Sequence, residues 1–450
     1  MSPTPDLSEG TIYMLTTTPR SPWLCLIAAI AVTASAHAQP YTSPEVWICP
    51  KKDAAVDLLV PGDDWPNLRQ RVAGVKLYID WIHTADSSWL RRVAGLQITH
   101  GLKVTVECGG TVAFAGLDEN NGVNAAAIEL SKILKLYQAG GWVDYLDIDG
   151  PIRRLLWPKL ADTEWNGFRH SDFTVQTAAD QLMNYLDAVK TRIETDCPQH
   201  PIQFNLLTNF ANWGYRGGPS YHNRTRVDGT QILHTGNDPP YGQDQGDYFD
   251  VLTTVMATIT ADPRGLAFVG LTVDIPYDYI MGIRWTPART PPWEPSTVDW
   301  FARVRDLESV AKGYGLAFNL IVNSERGGNT SDQLFYDDTL AMAELYRARG
   351  GLADALRVQS WYAYPVTVTP ETALHAMTAL THAVGHAMSP AGLSDRDNDG
   401  DVDLDDFAQF TPLVAGPNQP LLNHSVDVDG DGDCDLDDVA LFVASFTGSL

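Results

Sequence analysis

A chain of 450 residues exceeds one small domain, and its net charge of −25 excludes a role that rests on neutralising phosphate, so nucleic acid is not an expected partner. Hydrophobic residues make up 44% of the chain, enough for a sizeable core. The acidity is uneven: residues 391–450 hold fourteen aspartates against Arg396 alone, about half of the whole net charge, and the remainder is only ordinarily acidic.

The N-terminus reads as an export signal. Arg20 precedes an apolar run from Trp23 to Val32 that is too short to span a bilayer comfortably, and Ala36-His37-Ala38 has the small residues of a cleavage site. Residues 1–38 are therefore expected to be removed, leaving a mature chain that begins near Gln39 and has no membrane span. Initiation at Met14 would give a signal of more ordinary length. The expected location is outside the cell or on its surface, in a bacterial envelope. Cys49, Cys108, Cys197 and Cys434 remain, too few in so large a chain for a disulfide framework.

From residue 39 to 388 short β-rich runs alternate with helical patterns, which predicts a parallel α/β architecture. Strands are expected near 46–49, 74–82, 103–108, 143–149, 202–209, 268–275, 316–323 and 356–362. Helices are expected near 65–72, 87–100, 122–140, 174–195, 246–261, 298–313, 331–349 and 371–387. Eight such units fit a (β/α)8 TIM barrel, and no Gly-rich phosphate loop follows any strand to favour an open nucleotide-binding sheet.

Alternation within the strands separates an apolar set from a polar one. The polar set includes Lys76, Tyr78 and Asp80 on strand 2, Thr105 and Glu107 on strand 3, and Asp147 and Asp149 on strand 4. Asn205 and Asn209 follow on strand 5, Thr272 and Asp274 on strand 6, Asn319, Asn323 and then Glu325 at strand 7, and Gln359 and Trp361 on strand 8. Polar groups thus converge on the C-terminal mouth, where such barrels hold their sites. A purely hydrogen-bonded interior is the bland alternative, but carboxylates at the ends of several strands repel one another unless a site uses them.

Paired carboxyls suit glycosidic cleavage, in which one protonates the leaving oxygen and the other attacks or activates water. Asp149 is the first catalytic candidate, with Glu325, Glu107 and Asp274 as possible partners. Asp80, Asp147, Asn209, Asn323, Trp361 and Tyr362 are candidate substrate-binding residues for a polysaccharide or oligosaccharide. Trp213, Tyr215, Tyr277, Trp285 and Trp293, on long loops after strands 5 and 6, are further candidate surfaces for stacking sugar rings. No strand presents a His-x-His pair, so no metal is expected in the barrel.

Val143-Asp144-Tyr145-Leu146-Asp147-Ile148-Asp149 resembles the strand-4 signature of chitinase-type glycoside hydrolases, and Lys103 to Gly110 resembles their strand-3 segment. The resemblance implies a glycoside-hydrolase-like barrel. Pro151 stands where that family has its catalytic glutamate, so chitinase roles do not carry over to Asp147 and Asp149. Two rival readings follow: a non-catalytic carbohydrate-binding barrel, or a surface structural protein whose barrel only spaces the C-terminal module.

After a short linker, 389–394, residues 395–450 repeat one spacing twice. Asp395, Asp397, Asp399, Gly400, Asp401 and Asp406 recur 32 residues later as Asp427, Asp429, Asp431, Gly432, Asp433 and Asp438. Oxygen ligands at positions 1, 3, 5, 7 and 12, a water-bridging side chain at 9 such as Asp403 and Asp435 supply, and glycine at 6 are what a calcium loop needs. The ten aspartates are the candidate ligands. The pair resembles a type I dockerin over residues 393–448: two calcium loops, each followed by a helix, closed by Asp. The resemblance implies a small all-α module binding two Ca2+ ions and a cohesin partner on a scaffold or cell surface. Loop positions 10 and 11 carry Leu404-Asp405 and Leu436-Asp437, and neither following helix has Lys or Arg, so the partner is expected to be a cohesin-like or other surface protein.

Overall fold

A computed structural model describes residues 43–51, 54–59, 64–111, 118–156, 167–218, 224–225, 231–232, 246–283 and 298–389. Toward the C-terminus it describes 394, 396, 402, 404–417, 419, 426–428 and 433–446. The expected signal peptide, most of the linker, Trp285, Trp293, Asp395, Asp397, Asp399, Asp401, Asp429 and Asp431 lie outside the described residues.

Eight parallel strands close into a barrel: β1 Glu45–Cys49, β2 Gly74–Tyr78, β3 Lys103–Cys108, β4 Tyr145–Asp149, β5 Gln203–Asn209, β6 Gly270–Asp274, β7 Ala317–Val322 and β8 Ala355–Gln359. Each pairs with its sequence neighbours, and β8 returns to β1 with Ala355 opposite Glu45. The long helices are α1 Ser87–His100, α2 Asn121–Gln138, α3 Val175–Asp196, α4 Tyr248–Ala261, α5 Trp300–Gly313, α6 Asp332–Ala348 and α7 Met377–Ala387. The β1–β2 connection carries the 3-10 turn Ala55–Leu59 and, where a full helix was expected at 65–72, the short helix Pro66–Arg69. The residue before it is Trp65, whose ring is buried, and proline at the first helical position suits a start that cannot be extended backwards.

Local chemistry sets the helix ends. Asp86 caps α1 by accepting from the backbone N–H groups of Ser88 and Trp89, and Asp247, Asp299 and Ser331 cap α4, α5 and α6 in the same way. Gly101 ends α1 in the left-handed region at φ 68°. Ile48, Val75, Val104, Val106, Leu146, Ile148, Leu271 and Leu356 are buried in the layer between strands and helices. That apolar set, at every second strand residue, leaves the alternate positions to point at the barrel axis.

Strand 2 is shorter than expected. Ile79-Asp80-Trp81-Ile82 alternates like a strand, but the chain turns into the helix Ile79–Thr84, which buries Trp81 and Ile82 and exposes Asp80. Asp80 therefore does not face the barrel axis; its carboxylate pairs with Lys132 of α2 at 2.8 Å. Strand 8 ends at Gln359, leaving Trp361 and Tyr362 on the loop beyond it.

The C-terminal region has its own core of Val402, Phe410, Val426, Val428, Cys434, Val439 and Phe442, between α8 Leu404–Phe410 and α9 Leu436–Ala444. Phe410 and Phe442 pack as a tilted ring pair with centroids 4.5 Å apart, joining the two helices. Cys434 serves there as a small buried apolar residue. The barrel reaches this region through Arg347 of α6, 2% exposed, whose Nη2 donates to the carbonyls of Asp427 (3.3 Å) and Val428 (3.2 Å).

Candidate active site

Two tiers of polar groups fill the barrel. The inner tier centres on Asp147 of β4, fully buried. Its Oδ2 lies 3.2 Å from Lys76 Nζ and its Oδ1 3.4 Å from Arg357 Nη2, while Asn205 donates to Oδ1 at 2.9 Å. Thr272 reaches Oδ1 at 3.4 Å and is itself held by Asn319 at 3.2 Å. Burial opposes ionisation of Asp147, but Arg357 and Lys76 outweigh it and hold the carboxyl below its ordinary range. Lys76 is likewise kept charged: burial works against its ammonium, and Glu107 and Asp147 more than compensate. This tier is a charge lattice, and Asp147, expected to bind substrate, lies inside it.

The outer tier is the mouth. Glu107, the residue before the last of β3, holds its Oε2 2.7 Å from Lys76 Nζ. Asp149 accepts from Asn209 through Oδ1 and from Arg154 Nη2 through Oδ2, both at 2.9 Å, and Arg153 lies 3.9 Å away. Gly150-Pro151 turns the chain into the helix Pro151–Leu156, which brings both arginines back over Asp149. Asp274 ends β6, 7% exposed, and accepts from Asn323 at 3.2 Å.

These three carboxyls act on one another. Burial, then the charges of Glu107 and Asp149, pushes Asp274 up to about 7 in spite of Lys76 and Asn323. Burial also raises Glu107, against Lys76 and with Asp149 and Asp147 adding to the rise. The mouth thus holds one carboxyl that keeps its proton close to neutrality and another, Asp149, ion-paired with arginine. A proton donor and a carboxylate in one cleft are the pair that acid-assisted cleavage requires.

Glu325 stands further out, opening the short helix Glu325–Gly328 after β7, and accepts from the Tyr279 hydroxyl at 2.6 Å. Beneath it Asp278 accepts from the backbone N–H groups of Glu325 (2.9 Å) and Arg326 (3.2 Å). Burial raises Asp278 to about 7 even with these bonds. Tyr362 bridges the two regions: burial, then Glu325 and Asp274, push its phenol well up. Trp361, 58% exposed, tilts against Tyr362 at 5.5 Å and offers a flat apolar face beside the mouth.

Two expected stacking residues are not platforms. Trp213 and Tyr215 are 2% and 3% exposed and pack with Phe210, Tyr248 and Phe249, because the chain after β5 folds back against α4. The residues that sequence reasoning passed over are Arg357, Arg153, Arg154, Asp278 and Tyr279. Arg357 carried a usable signal, since it sits in phase with Gln359 and Trp361 as a charge inside the run Ala355–Gln359.

The fold and mouth define a closed, all-parallel eight-stranded TIM barrel with carboxyl groups at its C-terminal face. No protein-family model matches the sequence, and no curated protein does. Among solved structures the chain is similar to a fungal β-1,4-galactanase, with TM-score 0.41 and 11% identity over 76% of this chain and 99% of the other. It is also similar to an intracellular xylanase of Thermoanaerobacterium saccharolyticum, with TM-score 0.39 and 8% identity over 72% and 89%. A sugar phosphate isomerase/epimerase of Parabacteroides distasonis gives TM-score 0.35 and 8% identity over 80% and 98%. Likeness this slight, shared between hydrolases and an isomerase, carries nothing about the reaction.

Proposed function

We propose that the protein is a carbohydrate-active hydrolase that cleaves glycosidic bonds of a polysaccharide with carboxyl groups of the barrel mouth. The observation that carries this reading is the convergence of Glu107, Asp149 and Asp274 at three strand ends, with Asp274 raised to about 7 by burial beside the other two. In the reaction, protonated Asp274 gives its proton to the glycosidic oxygen as the C–O bond breaks. Asp149, held by Asn209 and Arg154, attacks the anomeric carbon or takes a proton from the water that adds there. Trp361 and Tyr362 border the cleft as a stacking surface. Full-length protein incubated with a panel of plant and algal polysaccharides is expected to release reducing ends from at least one. Asp149→Asn should lose that release while retaining oligosaccharide binding; binding without release by the wild type would favour a purely carbohydrate-binding barrel.

The reading extends to a secreted protein whose C-terminal segment binds calcium as a dockerin-like module and docks to a cohesin-like surface partner. Support comes from the donor set. Carboxylate oxygens of Asp433, Asp435 and Asp438 lie within 4.8 Å of one another, an arrangement whose mutual repulsion a divalent cation relieves. The two copies also share a closing device: Asp438 accepts from Val428 N–H, and Asp406 accepts from Arg396 N–H, in each case loop position 12 to position 2. Calcium, when bound, would draw the loop oxygens together, and Asp427, Asp433 and Asp438, with Asp435 through a bridging water, are the described residues that would hold the second ion. Calorimetric titration of calcium into chelator-treated protein should give two sites, and Asp438→Asn should leave one. No calcium-dependent heat at micromolar to millimolar metal would contradict the module's assignment.

A further inference from the structure

The last turn of α6 carries an arginine where an outer helix ordinarily ends in water. Arg347 is almost fully buried, and arginine is buried to that degree only where its donors are taken up. Its Nη2 donates to the carbonyls of Asp427 at 3.3 Å and Val428 at 3.2 Å, and both of these residues are buried as well. The same turn is fixed to the barrel on its other side: Tyr346, fully buried, donates from its hydroxyl to Glu308 of α5 at 2.6 Å. Relative motion is the default between domains of one chain, and buried charge-assisted hydrogen bonds across their contact oppose it.

Asp427 and Val428 are positions 1 and 2 of the second loop. The Val428 peptide faces both ways: its carbonyl accepts from Arg347, and its N–H donates to Asp438, the carboxylate that closes the loop at position 12. A calcium loop takes its carbonyl ligand from position 7, so the guanidinium and an ion do not compete for an oxygen. The close carboxylates of Asp433, Asp435 and Asp438 oppose this loop shape by their mutual repulsion, and an ion among them supports it. The shape that an ion supports is the one that presents both carbonyls to Arg347.

We infer that Arg347 joins the second calcium loop and the barrel into one cooperative unit, so that metal held in the loop stabilises the barrel against unfolding. The inference rests on the calcium reading of the C-terminal segment and is independent of the proposed hydrolysis. A ligand that binds only the folded state stabilises everything that unfolds together with its site. If barrel and module unfolded separately, the metal would stabilise the module alone. With the two joined, the barrel reaches its full stability only where calcium is abundant.

Intrinsic fluorescence separates the two cases, because all 13 tryptophans precede residue 389 and report on the barrel alone. Thermal melts of the full chain are followed by that signal at one heating rate, in calcium and in chelator, alongside calorimetric titration of calcium. Calcium at about a thousand times its dissociation constant is expected to raise the barrel midpoint by about 5 °C or more. Arg347→Met, which keeps an apolar stem and loses the guanidinium, should still bind calcium but lose most of that rise; Asp438→Asn should lose part of it. The wild-type comparison and Asp438→Asn decide the matter if Arg347→Met does not fold. A wild-type midpoint that ignores calcium while the titration shows binding would overturn the inference and leave the calcium reading standing. So would a full rise in Arg347→Met or in Asp438→Asn. No heat of binding in the wild type would remove the calcium reading, and the inference with it.

Discussion

An Asp274→Asn protein is expected to lose polysaccharide cleavage by about 10²–10⁴-fold and, at the same time, to melt above the wild type at pH 8. Both effects come from one carboxyl group. Burial beside Glu107 and Asp149 raises it from 3.8 to about 7, so the folded state holds the proton more tightly than the unfolded chain does. The stability contributed by that proton is fully present below about pH 3.8, declines as the pH rises, and is lost above about pH 7. The difference across that window is on the order of 4 kcal/mol. Asparagine keeps the size and the neutral charge at every pH. Thermal melts of the two proteins should therefore coincide near pH 4 and separate at pH 8, with the variant higher. Coincident melts at pH 8 would mean that Asp274 is not held in a costly state.

Lys76→Met should be the most damaging single change in the barrel. It leaves Glu107 without its cation at 2.7 Å and Asp147 with Arg357 as its remaining cation, and both carboxyls stay in the interior. Breaking a buried ion pair from one side costs about 3–5 kcal/mol, because the remaining charge is left uncompensated. The expected loss, read from urea unfolding, is larger at pH 8 than at pH 5, since protonating Glu107 relieves part of it. A variant as stable as the wild type would mean that the lattice only offsets its own desolvation.

Strand and helix positions were legible because the alternation of polar and apolar residues is strong, and β3 falls on the expected residues 103–108. The same signal failed at Asp80, since Ile79-Asp80-Trp81-Ile82 satisfies a strand and a short helix equally and only packing of Trp81 and Ile82 decides. Trp213 and Tyr215 failed for another reason. An aromatic residue in a loop has no local mark of whether the loop turns outward or, as here, folds onto the core. Glu107, Asp149 and Asp274 could be named from their strand ends, but their mutual influence depends on register, Glu107 opposite Asp147 and Asn209 opposite Asp274, which belongs to the closed barrel. Arg357 was passed over although the alternation along Ala355–Gln359 puts it in phase with Gln359, between the apolar Leu356 and Val358.

The central claim is that these mouth carboxyls divide the work of acid and base, and the pH dependence of cleavage tests it most directly. With the best substrate of the panel, the rate should be lost as the pH rises through about 7, where Asp274 gives up its proton. A rate that increases through that region, or no cleavage at any pH, would contradict the account.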